Sequence, residues 1–238
     1  METQIQRDDR QQKPTFQYSL ENKLFFENAP TDWLSNLARI KGLQTNCDLQ
    51  LIETHIRQNL QNPNYAALEL GFGYGRAIRW LREQNPIKRI YGVDHCARFF
   101  SLLKQDLKND PSVTLINCSA TKFKVNEPLD LILWMWAGFF ELDEGDKQIA
   151  MTHISANLIK GGQFVIEFPD EIIGHEKIEE CKNGKIRVNT DFGNLNVFKG
   201  TASGIVDIAK AAELQLAMEL SYLTLTAIPR RILIFEKH

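Results

Sequence analysis

The sequence predicts an α/β fold in which helices cover a mostly parallel sheet. From Tyr65 onward, short apolar segments alternate with segments of helical periodicity, which is the order that strand–helix–strand units produce. The segment Leu129 to Met135 is apolar almost throughout, as expected for a strand buried on both faces. Glycines follow the first apolar segment, at Gly71, Gly73 and Gly75, where a strand would turn into a helix.

The 238 residues are enough for one elaborated α/β domain, which we expect over residues 14–238. Helical spacing is clearest at Leu49, Ile52, Ile56 and Leu60, ahead of Pro63. The predicted parts are a disordered polar tail at 1–13, an N-terminal helical lid at 14–62, a core at 63–170 and 201–238, and a β-meander insert at 171–200.

Seven strands are predicted in the core, with helical segments between most of them. The last two follow a helix whose apolar face contains Ile205, Ile208 and Ala209. The strand candidates are residues 65–70, 87–93, 113–117, 129–135, 163–168, 216–226 and 231–235.

The segment 171–200 interrupts this alternation. Asn183-Gly184 is a strong signal for a hairpin turn, and a second turn is predicted at Asp191 to Asn194. Alternating apolar and polar residues lie on both sides of these turns. We therefore expect a small three-stranded antiparallel meander inserted into the α/β pattern.

The glycine-rich turn has an acid on each side of it. Glu69 stands two residues before Gly71, and Asp94 ends the next predicted strand, where a carboxylate can accept from a ribose diol. The glycine spacing is G-x-G-x-G, and Arg76 occupies the position of the third glycine of a dinucleotide site. A carboxylate at Glu69 would repel a pyrophosphate but can accept from an ammonium group. This chemistry favours S-adenosylmethionine over NAD.

These residues resemble class I S-adenosylmethionine-dependent methyltransferases. The family's acid-x-Gly-x-Gly-x-Gly motif is matched from Glu69 to Gly75, and its second acid by Asp94. The glycine pair before its fifth strand is matched by Gly161-Gly162, without the usual proline and with one residue added. The resemblance covers residues 65–238 and implies a Rossmann-like, seven-stranded, mostly parallel sheet with helices on both faces and an antiparallel last strand.

The resemblance also implies which residues bind the cofactor. One departure lies after the third strand, where the family often has Gly-Asp-Ala and this chain has Cys118-Ser119-Ala120, so the acid for the adenine amino group is missing. The predicted cofactor-binding residues are Glu69, Gly71, Phe72, Gly73, Gly75, Asp94, His95, Ser119, Ala120 and Trp134.

The methyl acceptor is predicted to be a small molecule that presents a nitrogen or an oxygen. A protein or peptide acceptor, or a non-catalytic domain that binds the cofactor, remain alternatives that the sequence does not separate. No catalytic base is assigned, because a neutral amine needs none. The candidate residues for the acceptor pocket are Trp136, Phe139, Glu167, His175 and Tyr18.

Composition argues against several other partners. Lys and Arg number 28 against 30 Asp and Glu, a net charge of −2, and they form no dense block of the kind that binds nucleic acid. No apolar run reaches the roughly 20 residues of a membrane span. The four cysteines form no CxxC pair, no residues have metal-ligand spacing, and the N-terminal segment lacks a secretory apolar stretch. We therefore expect a cytoplasmic monomer or homodimer that binds no metal.

Overall fold

The computed structural model describes residues 15–43, 45–56, 65–84, 87–108, 110–170, 178–180, 184–198 and 200–238. For 15–18 and 178–180 it describes the backbone alone. The predicted tail at 1–13 and His175 lie outside the described residues, as does the side chain of Tyr18.

The described helices and strands follow the predicted alternation. The helices are α1 (Thr15–Asn28), α2 (Trp33–Ile40), α3 (Cys47–Ile56), α4 (Arg76–Glu83), α5 (Ala97–Asp106), α6 (Glu144–Asn157), α7 (Ala202–Ala211) and a short 3-10 helix (Gly138–Glu141). The strands are β1 (Ala66–Leu70), β2 (Arg89–Asp94), β3 (Val113–Asn117), β4 (Leu129–Trp134), β5 (Leu158–Pro169), β6 (Ile178–Glu180), β7 (Lys185–Thr190), β8 (Gly193–Phe198), β9 (Leu214–Leu223) and β10 (Pro229–Lys237).

Seven of the strands form one sheet in the order β3-β2-β1-β4-β5-β10-β9. The first five run parallel to one another, and β10 is antiparallel to both β5 and β9. The predicted Rossmann-like sheet with an antiparallel last strand is therefore confirmed. The strand order reverses between β1 and β4, and ligands of open α/β sheets bind at such a point, beyond the carboxyl ends of the strands.

Helices cover both faces of this sheet. Residues of α3, α4 and α5 pack on one face with alternate residues of β1 and β4, such as Ala67 and Leu131. Residues of α6 and α7 pack on the other face, with Leu68 and Ile132. All residues of β1 and β4 are buried, which explains why the sequences of both strands are mostly apolar. No described helix is long and apolar enough to cross a membrane.

The predicted meander is also observed, as a separate antiparallel sheet of β6, β7 and β8. It contacts α1 through a buried pair of asparagines. The amide of Asn22 donates to the carbonyl of Asn196 at 2.9 Å, and the backbone N–H of Asn196 donates back to Asn22 Oδ1 at 2.7 Å. The side chain of Asn22 thus replaces one residue of a neighbouring strand, and this contact holds the insert against the N-terminal helix.

Most strand boundaries differ from the prediction by one or two residues, and β5 and β9 differ by more. β5 begins at Leu158 rather than Gln163, because Leu158 pairs with Leu129 before the register shifts. β9 spans Leu214–Leu223 rather than 216–226, because Thr224 already belongs to the turn into β10: its N–H donates to the carbonyl of Ile228 at 3.0 Å. The start of β5 depends on pairing with β4, far away in sequence, whereas the end of β9 depends on the turn into β10.

Candidate functional site

The glycine-rich loop joins β1 to α4 at the reversal point of the sheet. Gly71, Gly73 and Gly75 all have positive φ values, of 65°, 52° and 80°. This left-handed backbone is easily adopted only by glycine. The loop therefore leaves its main chain open toward a pocket formed beyond the carboxyl ends of β1, β2 and β4.

Asp94, at the end of β2, is the acid nearest this loop. Its two carboxylate oxygens each accept a backbone hydrogen bond of 2.8 Å, one from Gly73 and one from Cys96. The carboxylate is thus held in one orientation, and each oxygen keeps a lone pair for a ligand. Burial raises the pKa of Asp94, although the neighbouring His95 opposes the rise.

Glu69, on β1, is almost completely buried in the same pocket. One of its oxygens accepts from the backbone N–H of Ile78 at 2.9 Å, in the first turns of α4. Burial raises the pKa of Glu69 to about 8, against the opposing effects of Arg76 and this hydrogen bond. A cationic group in the pocket would therefore stabilise the ionised carboxylate of Glu69.

Arg76 itself is already paired. Its guanidinium makes two hydrogen bonds to the carboxylate of Asp48 on α3, of 2.7 and 2.6 Å, and a third to Asn46 at 3.2 Å. This nearly buried ion pair fixes the start of α4 to the N-terminal helices.

Trp134, at the end of β4, provides a free donor. The indole lines the pocket, and its Nε1–H is buried without a hydrogen-bond partner among the described residues. The ring lies between two glycines, because a Cβ on Gly71 or Gly138 would come within 3.6 or 2.8 Å of Nε1. Buried donors are normally satisfied, so a ligand acceptor at this position is expected.

The aromatic residues after β4 lie in two different environments, the pocket and the core. Trp136 lines the pocket, and its ring meets the ring of Tyr74 edge to face, with centroids 6.4 Å apart. Phe139 is fully buried instead and packs against Trp134 and Phe140 in the core. Among the described parts of the predicted acceptor set, Trp136 is therefore the residue that reaches the pocket.

Glu167, on β5, is engaged within the protein. Its carboxylate accepts hydrogen bonds from Arg230, from the hydroxyl of Tyr222 at 2.9 Å and from the backbone of Trp136 at 2.8 Å. Its backbone carbonyl also accepts from Ala137 at 3.0 Å. Trp136 and Ala137 have φ values of 64° and 66°, so Glu167 holds these two residues in a left-handed conformation.

The roof of the pocket comes from α1, α2 and β8. Phe26 of α1 lies against His95, with ring centroids 6.2 Å apart, while Trp33 of α2 and Leu195 and Val197 of β8 also line the pocket. The carboxylate of Glu27 anchors α1 by accepting from the first backbone N–H groups of α5. Elements far apart in sequence thus close the pocket over the glycine-rich loop.

Comparison with known proteins agrees with this geometry. Residues 67–162 match the family model of a methyltransferase domain. Over these residues the chain is similar to methyltransferases. No curated protein sequence matches the chain.

Solved structures of methyltransferases share the fold of this protein at low sequence identity. One is the 1,6-didemethyltoxoflavin-N1-methyltransferase of Burkholderia thailandensis, 15% identical, with a TM-score of 0.65 over 96% of this chain and 92% of that one. Another is the N-methyltransferase NodS of Bradyrhizobium japonicum, 13% identical, with a TM-score of 0.60 over 94% and 97%. A third is an amino pentose methyltransferase of Micromonospora echinaspora, 15% identical, with a TM-score of 0.62 over 88% and 98%.

The structure adds residues of the pocket that could not be predicted from the sequence. Three of them, Asn22, Phe26 and Trp33, lie on α1 and α2. No local sequence motif indicates that these helices contact the core. Glu141 is the last residue of the 3-10 helix and lines the pocket beside Trp136. Its position soon after an apolar strand is the one signal that could have identified it. Among the described residues, no cluster of His, Cys, Asp and Glu could hold a metal ion.

Substituting Gly75 by alanine is expected to lower the free energy of unfolding of the protein by about 2 kcal/mol. The reason is the φ of 80° at Gly75, and a Cβ there would also lie 2.5 Å from Leu103 Cδ1. Denaturant unfolding measures the change. Gly145→Ala is the control, because its Cβ would meet nothing closer than 3.6 Å. Equal stabilities of the two variants would contradict the strain at Gly75.

Proposed function

We propose that this protein binds S-adenosylmethionine and transfers its methyl group to a nitrogen or oxygen of a small-molecule acceptor. The observation that carries the proposal is the convergence of Glu69, Asp94 and the glycine-rich loop on one pocket at the reversal point of the sheet. The methyltransferase family match and the fold of the solved N-methyltransferases support the same activity.

The described residues fit the parts of this cofactor. Asp94 has lone pairs for the two ribose hydroxyls, and its backbone partners already fix its orientation. Glu69 offers a buried carboxylate to the ammonium group of the methionine portion. The unsatisfied Nε1–H of Trp134 offers a donor to an acceptor group of the ligand. A pyrophosphate would instead meet Glu69 and Asp94 as like charges, which argues against a dinucleotide.

When bound, S-adenosylmethionine supplies a methyl group that its sulfonium makes electrophilic. The task of the protein is then to hold the accepting atom in line with that methyl group, and positioning of this kind contributes much of the rate. Trp136 and Tyr74 form an aromatic wall that attracts a cationic or polarised group. The roof from α1 and β8 limits water and large acceptors, which favours a small molecule over a protein.

The test begins with binding. Calorimetry and thermal unfolding are carried out with S-adenosylmethionine, S-adenosylhomocysteine and NAD. A ligand at about 100 times its dissociation constant stabilises by roughly 2.7 kcal/mol, which should raise the melting temperature of this protein by about 5–10 °C. We expect this rise with the first two ligands and none with NAD.

Transfer is then measured with methyl-labelled S-adenosylmethionine and a panel of small amines and phenols, beside a panel of peptides. Label in a small molecule supports the proposal. Label in peptides alone would identify a peptide methyltransferase, and tight cofactor binding without any transfer would identify a non-catalytic binding domain. A melting temperature raised by NAD alone would contradict the cofactor itself.

A further inference from the structure

The loop after β3 offers no carboxylate for an adenine ring in Cys118-Ser119-Ala120. Ser119 is the polar residue of Cys118-Ser119-Ala120, and its hydroxyl lies 2.9 Å from the hydroxyl of Thr121. It also accepts from the backbone N–H of Thr121 at 3.2 Å, so it is used within its own turn. The 6-amino group of a buried adenine donates hydrogen bonds and needs an acceptor from another part of the protein.

Glu141 has a carboxyl group without a described partner. It lines the same pocket as Asp94, Ser119 and Ala120, and its side chain makes no hydrogen bond or ion pair with the described residues. Its backbone is fixed, because its carbonyl accepts from the amide of Asn22 at 3.3 Å. A half-buried acid that makes no contact of this kind within the protein is available to a ligand.

The helix α6, which begins three residues after Glu141, packs along the segment that follows β3. The ring of His153 is 5.9 Å from the ring of Phe123. Burial raises the pKa of Asp146 near the start of α6, and the ammonium of Lys122 is close enough to oppose that rise. The chain that carries Glu141 therefore runs toward the β3 loop.

The charges in the pocket also indicate that Glu141 lies near Asp94. Asp94, at the ribose end, is the acid whose charge acts on Glu141. Asp94 and Asp48 are the acids whose charges act on Glu69, at the other end of the glycine-rich loop. Glu141 thus shares the pocket with Asp94 and with the β3 loop, and an adenine that extends from a ribose held by Asp94 would enter the same space.

We propose that the carboxyl group of Glu141 binds the 6-amino edge of the cofactor's adenine, taking over the role that the missing acid after β3 would have. This inference rests on the proposed binding of S-adenosylmethionine. Desolvation, with the charge of Asp94, raises the pKa of Glu141 to about 8, which favours the protonated carboxyl at neutral pH in the free protein. A protonated carboxyl has one acceptor and one donor, which match the 6-amino group and the adjacent ring nitrogen N1.

Two variants separate this role from a merely structural one. Glu141→Leu removes both hydrogen bonds, whereas Glu141→Gln keeps an acceptor and a donor in nearly the same shape. Glu144→Leu is the matched control, because Glu144 is an exposed acid at the start of α6 and does not line the pocket. Circular dichroism and thermal unfolding verify that each variant is folded.

The probes are S-adenosylhomocysteine and its analogue in which hydrogen replaces the 6-amino group, both measured by calorimetry. We expect the unaltered protein to bind the amino form about 10-fold more tightly. We expect Glu141→Leu to lose this preference, and Glu141→Gln and Glu144→Leu to keep it. If Glu141→Leu keeps the full preference, the proposal is wrong. If the unaltered protein binds neither probe, the proposed function fails first, so the two failures can be told apart.

Discussion

Replacing Arg230 with methionine is expected to lower the free energy of unfolding by about 3–5 kcal/mol. Arg230 and Glu167 are both almost completely buried, and the guanidinium donates to both carboxylate oxygens. Removal of the arginine leaves a carboxylate without its counter-charge in a place that water does not reach. The hydroxyl of Tyr222 and the backbone of Trp136 would remain as its hydrogen-bond donors, and neither carries a charge.

Urea unfolding followed by circular dichroism measures this loss, and the neighbouring residue is the control. Arg231 also pairs with two acids, Asp170 and Glu219, but at the surface, where such pairs contribute under about 1 kcal/mol. Arg231→Met should therefore change stability little. If the two substitutions have equal effects, the pair of Arg230 and Glu167 is not the buried, desolvated interaction that the structure describes.

The same pair explains why Glu167, which the sequence predicts in the acceptor pocket, is engaged within the protein instead. An acid at the end of a parallel strand lies at the edge of the sheet where ligands bind, and the sequence alone cannot say which strand lies beside it. The partner, Arg230, is 63 residues away and lies on the antiparallel strand next to β5. In the folded chain, Glu167 holds the loop that carries Trp136, so its effect on an acceptor would pass through that loop.

Much of the fold could be predicted because its signals are local. The strands β1 and β4 are apolar because both faces are buried, and the glycine-rich loop needs glycines because its φ values are positive. Glu69 and Asp94 could be assigned for the same reason, since each directly ends or adjoins such a strand. When the neighbours of a residue are close in sequence, the local motif is therefore enough to indicate its structural role.

The roof of the pocket could be predicted only as a general lid. Asn22 and Asn196 hydrogen-bond across 174 residues of sequence, and nothing near either residue indicates the other. In the sequence, Phe26 is one apolar residue of a helix, and its contact with His95 forms only in the folded chain. Glu141 follows the same rule, because the role that we propose for it depends on a loop more than 20 residues earlier in the chain.

Asp94→Asn is expected to weaken the binding of S-adenosylhomocysteine by about 100-fold. The substitution keeps the shape of the side chain but replaces a charged acceptor by a neutral amide that presents one acceptor and one donor group. A hydrogen bond to a charged group contributes about 1.5–3 kcal/mol, so a diol bound through two of them loses about 3 kcal/mol, equivalent to about 100-fold. The amide must also turn a donor toward the backbone N–H of either Gly73 or Cys96, which adds to the loss.

A 2′-deoxy analogue of S-adenosylhomocysteine makes the test specific to the ribose. In the unaltered protein the missing hydroxyl should weaken binding, since Asp94 then accepts one hydrogen bond fewer from the ligand. In Asp94→Asn the analogue and the parent should bind almost equally, because the charged acceptor that distinguishes them is gone. Asp106→Asn is the control, because Asp106 is an exposed partner of Arg79 and does not line the pocket. If Asp94→Asn weakens both ligands and keeps their ratio, Asp94 acts by holding the glycine-rich loop and not by binding the ribose.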